Sequence, residues 1–286
     1  MKKLFTVILA GVILSSLATA VSAHKDAALI GEVPAVPAGA ITVDGVMDEQ
    51  VWASALQVEI NQYNTGIEGG ATGTAYMLWS TDTWYIFYDV QDADVQISDP
   101  DIQQTQPWNT DSVEMFFDFT NEHSADVYQF RVDYSGWPSF YLNNTGDIQA
   151  YGPEDAAPYI GNWAVTNNNN GYRIEMAVNI ATYGLKEGDE IGLQLQINDV
   201  TADSPTATSS VYNMAQSLDA KSWDADLYDY IKLGAELVIE EPVVDEPAVD
   251  APTDAPATAP TTADAGIVAA AAVMAVAAGV VLSKKH

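Results

Sequence analysis

The sequence predicts an all-β fold, an antiparallel β-sandwich, for the central part of the chain. Short segments alternate apolar with polar residues, as half-buried strands do, and clusters of Gly, Asn, Asp and Pro separate them. No long segment repeats its apolar residues at helical spacing, so a single short helix is predicted, at 48–54. Many short strands joined by turns are typical of a sandwich or barrel. The predicted strands are 71–79, 84–90, 112–119, 128–134, 138–142, 172–180 and 191–200.

The first two predicted strands form a hairpin. Segment 71–79 alternates small or polar residues with apolar ones, 80–83 has the composition of a turn, and a second strand begins at Trp84. Tryptophans in a sandwich usually belong to its core, and we assign Trp52, Trp79 and Trp84 to it. Trp108 differs because it follows Pro107 in a polar loop, which predicts an exposed ring.

Three later strands have one fully apolar face and one polar face, because successive side chains of a strand point to opposite sides of the sheet. The apolar faces are predicted to be core. The opposite faces hold amides, carboxylates and an arginine, which are groups that hydrogen-bond sugar hydroxyls, although an ordinary solvated sheet surface has the same composition. These faces contain Glu114, Phe116 and Asp118; Gln129, Arg131 and Asp133; and Gln194, Gln196 and Asn198.

The two ends of the chain predict export and attachment to a membrane. Residues 1–23 have a basic start, an apolar run and small residues before a cleavage point, as a signal peptide does. Residues 24–239 form the predicted sandwich, and 240–264 are an acidic, Pro-, Thr- and Ala-rich linker that we expect to be extended. Residues 265–282 lack charge and precede a basic tail at 283–286, which predicts a single transmembrane helix with the C-terminus inside. The sandwich would then lie on the outer face of the cell membrane.

Charge limits the partners of the exported part. The chain has a net charge of −30, and residues 24–264 have six basic and forty acidic residues, a charge of −34. Such a surface repels nucleic acid and anionic lipid, and it suits neutral ligands and divalent cations. The chain contains no cysteine, so a disulfide-free core must stabilise the fold. We expect a monomer.

Two segments resemble family 9 carbohydrate-binding modules. Segment 41–52 contains Asp-Gly, then Asp-Glu, then Trp, and 107–118 contains Pro-Trp-Asn-Thr-Asp-Ser-Val-Glu. Weaker matches follow in order through 222–224, so the resemblance spans most of 41–233. It implies two antiparallel sheets that bind the ends of glucan or xylan chains between two tryptophans. Trp108 and Trp223 would be those tryptophans.

The resemblance also assigns polar contacts. Glu114, Arg131 and Gln196 fall on the family's hydrogen-bonding positions, and all three lie on the polar faces described above. An Asn that sugar binders of the family have near the second Trp is not found here, where Ala220 stands, and Asn198 or Lys221 would have to compensate. The function implied is non-catalytic binding of plant-type polysaccharide or oligosaccharide at the cell surface.

Calcium is the cofactor that the resemblance and the acidic loops imply. Asp44, Asp48 and Glu49 lie close to a glycine and offer the oxygen ligands that Ca²⁺ requires. A second acidic cluster comprises Asp92, Asp94, Asp99 and Asp101.

Other interpretations remain open from the residues alone. Arg131 and Glu114 could form an ordinary cross-strand ion pair. The motifs of serine, zinc and cysteine hydrolases are absent from the sequence, but two facing carboxylates suffice for a glycosidase. Haem-binding sandwiches of related fold, used in extracytoplasmic electron transfer, ligate iron through Met and His, and His123 reads as an exposed turn residue. A protein-binding surface adhesin is the third alternative.

Overall fold

The computed structural model describes residues 27–63, 70–123, 126–143, 147–202, 204–212 and 222–238. The predicted signal peptide at 1–23, linker at 240–264, transmembrane helix at 265–282 and basic tail at 283–286 lie outside these residues and stay predictions. Within the described ranges, no helix is long and apolar enough to cross a membrane.

The described chain is mostly β structure, which confirms the all-β prediction. Eleven of the strands follow one another in a single curled sheet in the order β10-β11-β5-β4-β1-β14-β12-β6-β7-β8-β9, with β2 paired to β4 and β13 paired to β12 and β3. The strands are β1 (Leu29–Ala35), β2 (Leu56–Ile60), β3 (Gln62–Tyr63), β4 (Thr72–Trp79), β5 (Thr83–Gln91), β6 (Ser112–Asp118), β7 (Val127–Asp133), β8 (Pro138–Asn143), β9 (Ile148–Tyr151), β10 (Ile160–Asn167), β11 (Gly171–Asn179), β12 (Glu190–Thr201), β13 (Ser204–Tyr212) and β14 (Asp229–Glu236).

The sheet curls so that its two halves pack face to face, as in a sandwich. The rings of Trp84 on β5 and Phe117 on β6 lie 5.1 Å apart, and the Tyr88 hydroxyl donates to the Glu114 carbonyl at 3.0 Å, although β5 and β6 are not neighbours in the sheet. The apolar faces predicted for β6, β7 and β12 line this core. Trp52, Trp79 and Trp84 are buried, as predicted. The polar faces of the same strands therefore lie on the outer side of one layer.

The first strand departs from the predicted antiparallel arrangement. β1 pairs in parallel with β14, where Val33 lies opposite Leu233, and in parallel with β4, where Ala35 lies opposite Trp79. The other pairings among the described strands are antiparallel. Side-chain alternation reports which face is buried and carries no information on strand direction, so the sequence pattern could not predict this pairing.

The predicted short helix is a 3-10 turn at Gln50–Ser54, and two further short helices lie in loops: α1 (Pro100–Thr105) and α2 (Pro153–Ala156). α1 begins where the Asp99 side chain accepts a hydrogen bond from the Asp101 N–H and Pro100 occupies the first helical position. It leads directly into the loop of Trp108.

Candidate functional site

Five neighbouring strands align one row of polar side chains across the outer face of the sheet. Gln196 on β12 lies opposite Glu114 on β6, which lies opposite Arg131 on β7; the row continues through Ser139 on β8 to Tyr151 on β9. Three of the residues assigned from the resemblance, Glu114, Arg131 and Gln196, are therefore consecutive members of one row. Strand register brings together residues that are up to 82 positions apart in the chain.

Glu114 is the centre of the hydrogen-bond network in this row. It is only 1% exposed. Its Oε1 accepts from Arg131 Nε at 2.6 Å and from Asn198 Nδ2, and its Oε2 accepts from Gln129 Nε2 at 2.6 Å. A buried carboxylate must be compensated by charge and hydrogen bonds, and here both are provided. The carboxylate is held rigidly and so fixes the positions of three amide and guanidinium donors around it.

Arg131 is equally buried, at 3% exposure, and its charged hydrogen bond to Glu114 is an ion pair inside the sheet surface. The interpretation of these two residues as a cross-strand pair is thus structurally correct. It does not exclude ligand contact, because the described residues engage two guanidinium donors: Nε with Glu114, and Nη1 with Ser139 Oγ at 3.1 Å. Arginine has five N–H donors, and Arg131 lines the open cleft described next.

The row forms the floor of an open cleft of about 570 Å³. All five residues predicted to bind carbohydrate line it: Trp108, Trp223, Glu114, Arg131 and Gln196. Trp108 is 46% exposed, which agrees with its predicted exposure. Its loop is fixed by local hydrogen bonds, from the Asn109 N–H to the Gln106 carbonyl at 2.8 Å and from Thr110 Oγ1 to the Pro107 carbonyl at 2.7 Å. An exposed indole on a hydrogen-bonded loop is an apolar surface already in place for a ligand.

Trp223 is more enclosed than Trp108. Its ring meets Phe116 edge-on at a centroid distance of 5.3 Å and Tyr141 at 4.8 Å. The neighbouring Ser222 accepts a hydrogen bond from the Tyr228 hydroxyl at its carbonyl, and its own Oγ donates to Gln196 Oε1 at 3.0 Å. Trp223 is thus half-buried, with a structural contact on one side and the cleft on the other.

Asn198 is one of the two residues proposed to replace the missing Asn, and it lines the cleft. Its Nδ2 donates to Glu114 and to Ser112 Oγ at 3.2 Å, and its Oδ1 accepts from Gln196 Nε2 at 2.6 Å. It therefore orients both Glu114 and Gln196. Lys221, the other candidate, lies outside the described residues.

The sequence interpretation missed one side of the cleft. Tyr141, Gln149 and Tyr151 line it from β8 and β9. Burial raises the pKa of Tyr151 above its usual value, and the Arg131 charge opposes this. β9 has only four residues and was not predicted as a strand, so Gln149 and Tyr151 were not assigned to either face of the sheet. The alternation of Ser139 and Tyr141 with Phe140 in β8 was the signal that could have placed Tyr141.

The residues assigned to calcium from the resemblance make other contacts. Glu49 accepts from the Thr42 N–H at 2.7 Å and from the Trp52 indole at 3.2 Å, and Asp44 Oδ1 accepts from the Val46 N–H at 2.9 Å. Asp48 is exposed. Metal binding by Asp44, Asp48 and Glu49 stays a prediction. The loop itself is anchored by Glu175, through hydrogen bonds from its backbone.

Glu175 is a buried carboxylate on β11. Its Oε2 accepts from the N–H groups of Asp44 and Gly45 at 2.9 and 2.8 Å. Gly45 has a φ of +82°, a conformation that favours glycine. Burial raises the pKa of Glu175 to about 7; the two backbone donors oppose the shift, and the charges of Glu49 and Asp44 add to it.

The expected exposure of His123 is wrong. Its side chain is only 2% exposed, and its Nδ1 lies 2.8 Å from the Ala225 carbonyl oxygen. The backbone explains the difference, because His123 has a φ of 56° and turns its ring inward under the 3-10 turn at Ala225–Leu227. Met77, Met115 and Met176 are completely buried in the core. These contacts do not favour the haem-binding alternative.

Comparisons with known proteins agree with the fold and with the predicted resemblance. The family described as "Carbohydrate family 9 binding domain-like" matches residues 43–234. Exoglucanase XynX of Acetivibrio thermocellus is 30% identical over 165 residues, and endo-1,4-beta-xylanase A of Thermoanaerobacterium saccharolyticum is 28% identical over 165 residues. Each match covers 56% of this chain but only 13% of the relative, so the chain corresponds to a small part of those enzymes.

Solved structures show the same fold. A family 9 carbohydrate-binding module from Caldicellulosiruptor kristjanssonii in complex with cellotriose has a TM-score of 0.56 at 17% identity, covering 74% of this chain and 100% of that one. A putative carbohydrate-binding protein from Bacteroides uniformis has a TM-score of 0.55 at 10% identity, covering 72% of this chain and 99% of that one. The family consists of binding modules, so residues 43–234 form a binding module rather than a catalytic domain. The chain belongs to the carbohydrate family 9 binding domain-like family.

Proposed function

We propose that the cleft between Trp108 and β9 binds glucan or xylan chains, or their ends, without cleaving them. The observation that carries this proposal is the polar row at the cleft floor, with an exposed tryptophan beside it. A pyranose ring has an apolar face and a rim of hydroxyls. Trp108 offers a ring for the apolar face, and the floor offers donors and acceptors for the rim.

The chemistry of the floor fits a neutral ligand. The charges of Arg131 and Glu114 compensate each other within the floor, and the remaining groups there are amides, hydroxyls and tyrosines. The relatives include an exoglucanase and xylanases, and one solved neighbour was obtained with cellotriose. These names support glucan or xylan as the ligand class of this chain.

Calorimetric titration tests the proposal. The full chain should bind cellotriose or xylotriose with one site per chain, and oligosaccharides whose terminal ring has been reduced to an alditol should bind more weakly if chain ends are recognised. A linear arabinan oligosaccharide is the matched negative control. Failure to bind any of the glucan and xylan ligands would contradict the proposal.

We further propose that the module is a monomer displayed on the outer face of the cell membrane. Its support is the sequence alone: the signal-like segment at 1–23, the Pro-rich segment at 240–264 and the apolar run at 265–282. Fractionation of cells that express the full chain or a version stopped at Asp264 tests the attachment. Recovery of both versions in the membrane fraction would contradict it, and size-exclusion chromatography of the shorter version tests the monomer.

A further inference from the structure

The cleft has a direction, which follows from where its two tryptophans stand relative to the polar row at its floor. Trp108 belongs to the loop that enters β6 at Ser112, two residues before Glu114. Trp223 packs edge-on against Phe116, two residues after Glu114. Both rings line the cleft. They therefore flank the polar row, and a ligand held between them runs along the row, across the strands.

The polar row is long enough for several sugar units. It crosses five strands, from Gln196 on β12 to Tyr151 on β9, and four strand spacings amount to about 19 Å. One unit of an extended β-1,4-linked chain advances by about one such spacing, roughly 5 Å. Trp108 precedes β6, and Trp223 contacts β6 and β8, so β9 lies beyond both tryptophans. The row can face at least one unit more than the two tryptophans enclose.

The two ends of the polar row differ in what lies beyond them. At Gln196 the sheet continues, because β13 pairs with β12 there, and Ser222 Oγ donates to Gln196 Oε1 at 3.0 Å. At Tyr151 the sheet ends, because β9 is the last strand in its order. A chain longer than the cleft would therefore leave it across β9, where no further strand of the described sheet stands in its way.

β9 presents an aromatic ring and an amide to the cleft at this open end. Tyr151 is half-buried at the end of the polar row, and Gln149, on the same face of β9, is exposed. Both line the cleft, whereas Ala150 between them is buried in the core. A ring for the apolar face of a sugar and an amide for its hydroxyls are the groups that one sugar unit requires.

We propose that Tyr151 and Gln149 form an outer subsite for a third sugar unit, so that the cleft selects β-1,4-linked chains of at least three units, which leave it across β9. This inference rests on the proposed function. The third unit stacks on the Tyr151 ring, and the Gln149 amide hydrogen-bonds its hydroxyls. Because the subsite lies outside the two tryptophans, a disaccharide held between them does not fill it.

Calorimetric titration of the full chain with cellobiose and cellotriose tests the subsite. The ratio of the two affinities is the readout, because it isolates the third unit from effects on the first two. The wild type should bind cellotriose about three- to tenfold more tightly than cellobiose, which is the contribution of one aromatic contact. Tyr151→Ala removes the stacking ring and should bring the ratio close to one. Gln149→Ala should lower the ratio by a smaller factor.

Two variants separate stacking from a structural role of the side chain. Tyr151→Phe keeps the ring and should keep most of the ratio. Tyr76→Ala is the matched control, because Tyr76 is also a half-buried tyrosine but lies on β4, in the other layer of the sandwich. It should leave the ratio unchanged. A melting curve on each variant establishes that it is folded.

The outcomes distinguish the subsite from the proposed function. A ratio near one in the wild type, or a ratio that Tyr151→Ala leaves unchanged, overturns the subsite while sugar binding stands. A ratio that falls equally in Tyr76→Ala overturns it as well. Should Tyr151→Ala not fold, Gln149→Ala decides, since Gln149 is exposed, and an unchanged ratio there counts against the subsite. Failure of the wild type to bind either sugar refutes the proposed function itself.

Discussion

Replacing Trp108 by alanine distinguishes a ligand-binding ring from a structural one. A tryptophan side chain presents at most about 250 Å² of surface, so 46% exposure leaves about 115 Å² accessible to a ligand. If a sugar ring covers between half and all of that area, at about 25 cal/mol per Å² the lost contact costs about 1.5–3 kcal/mol of binding free energy. The affinity should therefore fall roughly 10- to 150-fold.

The effect of the same substitution on stability should be small. The Trp108 ring lies at the solvent edge, so its removal leaves no enclosed cavity, and we expect a loss below about 2 kcal/mol in the free energy of unfolding. Trp84 is the matched control, because it is completely buried and contacts Phe117. Trp84→Ala should cost about 3–5 kcal/mol, which corresponds to a decrease in Tm of roughly 6–20 °C.

Calorimetric titration with cellotriose and a melting curve on each variant provide the two measurements. The expected result is that Trp108→Ala loses affinity and that Trp84→Ala loses stability. The reasoning is refuted if Trp108→Ala binds like the wild type, or if it destabilises the fold as much as Trp84→Ala does while keeping its affinity.

Three further predictions concern the polar row and the buried acids. Gln196→Ala should weaken cellotriose binding by about 1–3 kcal/mol in a calorimetric titration, with a decrease in Tm smaller than that of Trp84→Ala because the substitution also removes the hydrogen bonds to Asn198 and Ser222; unchanged affinity would remove Gln196 from the site. Arg131→Ala leaves Glu114 buried without its cation and should cost about 3–5 kcal/mol in urea unfolding; adding Glu114→Gln should restore part of that loss, and no recovery would contradict the pairing argument. Burial raises the pKa values of Asp111 and Glu175 to about 7, so the folded state holds these protons more tightly than the unfolded chain does. Stability measured in chelator should therefore fall as pH rises from about 4 to 7, by up to about 1.4 kcal/mol per pH unit and group, and Asp111→Asn or Glu175→Gln should flatten that slope.

The alternation of polar and apolar residues within each strand predicted which side chains of that strand lie on the polar face of the sheet. Glu114, Arg131 and Gln196 were placed on polar faces because their neighbours Val113, Val132 and Ile197 are apolar. Their alignment in one row depends on register between strands, which the sequence pattern leaves open. The resemblance to the family assigned all three residues to one ligand-binding site, and the structure shows the three residues side by side.

The missed features have a common physical cause: they depend on contacts between distant segments. The parallel pairing of β1 depends on β14, which lies about 200 residues later in the chain. β9 is short, and Gln149 and Tyr151 reach the cleft only because β9 pairs with β8. His123 was expected to be exposed from its polar neighbours, but the turn after Asp224 covers it. Local composition cannot report contacts of this kind.

The parallel pairing of β1 with β14 has a mechanical consequence. The ladder runs from Leu29 opposite Tyr230 to Ala35 opposite Glu236, so the chain enters the module at one end of this strand pair and leaves it at the other. Tension applied between residues 27 and 238 would load the pair in shear, and its hydrogen bonds would have to rupture together rather than one after another. An antiparallel pair of terminal strands would instead peel apart from one end under the same tension. We therefore expect the module to resist stretching between its two termini more strongly than its overall stability alone would imply.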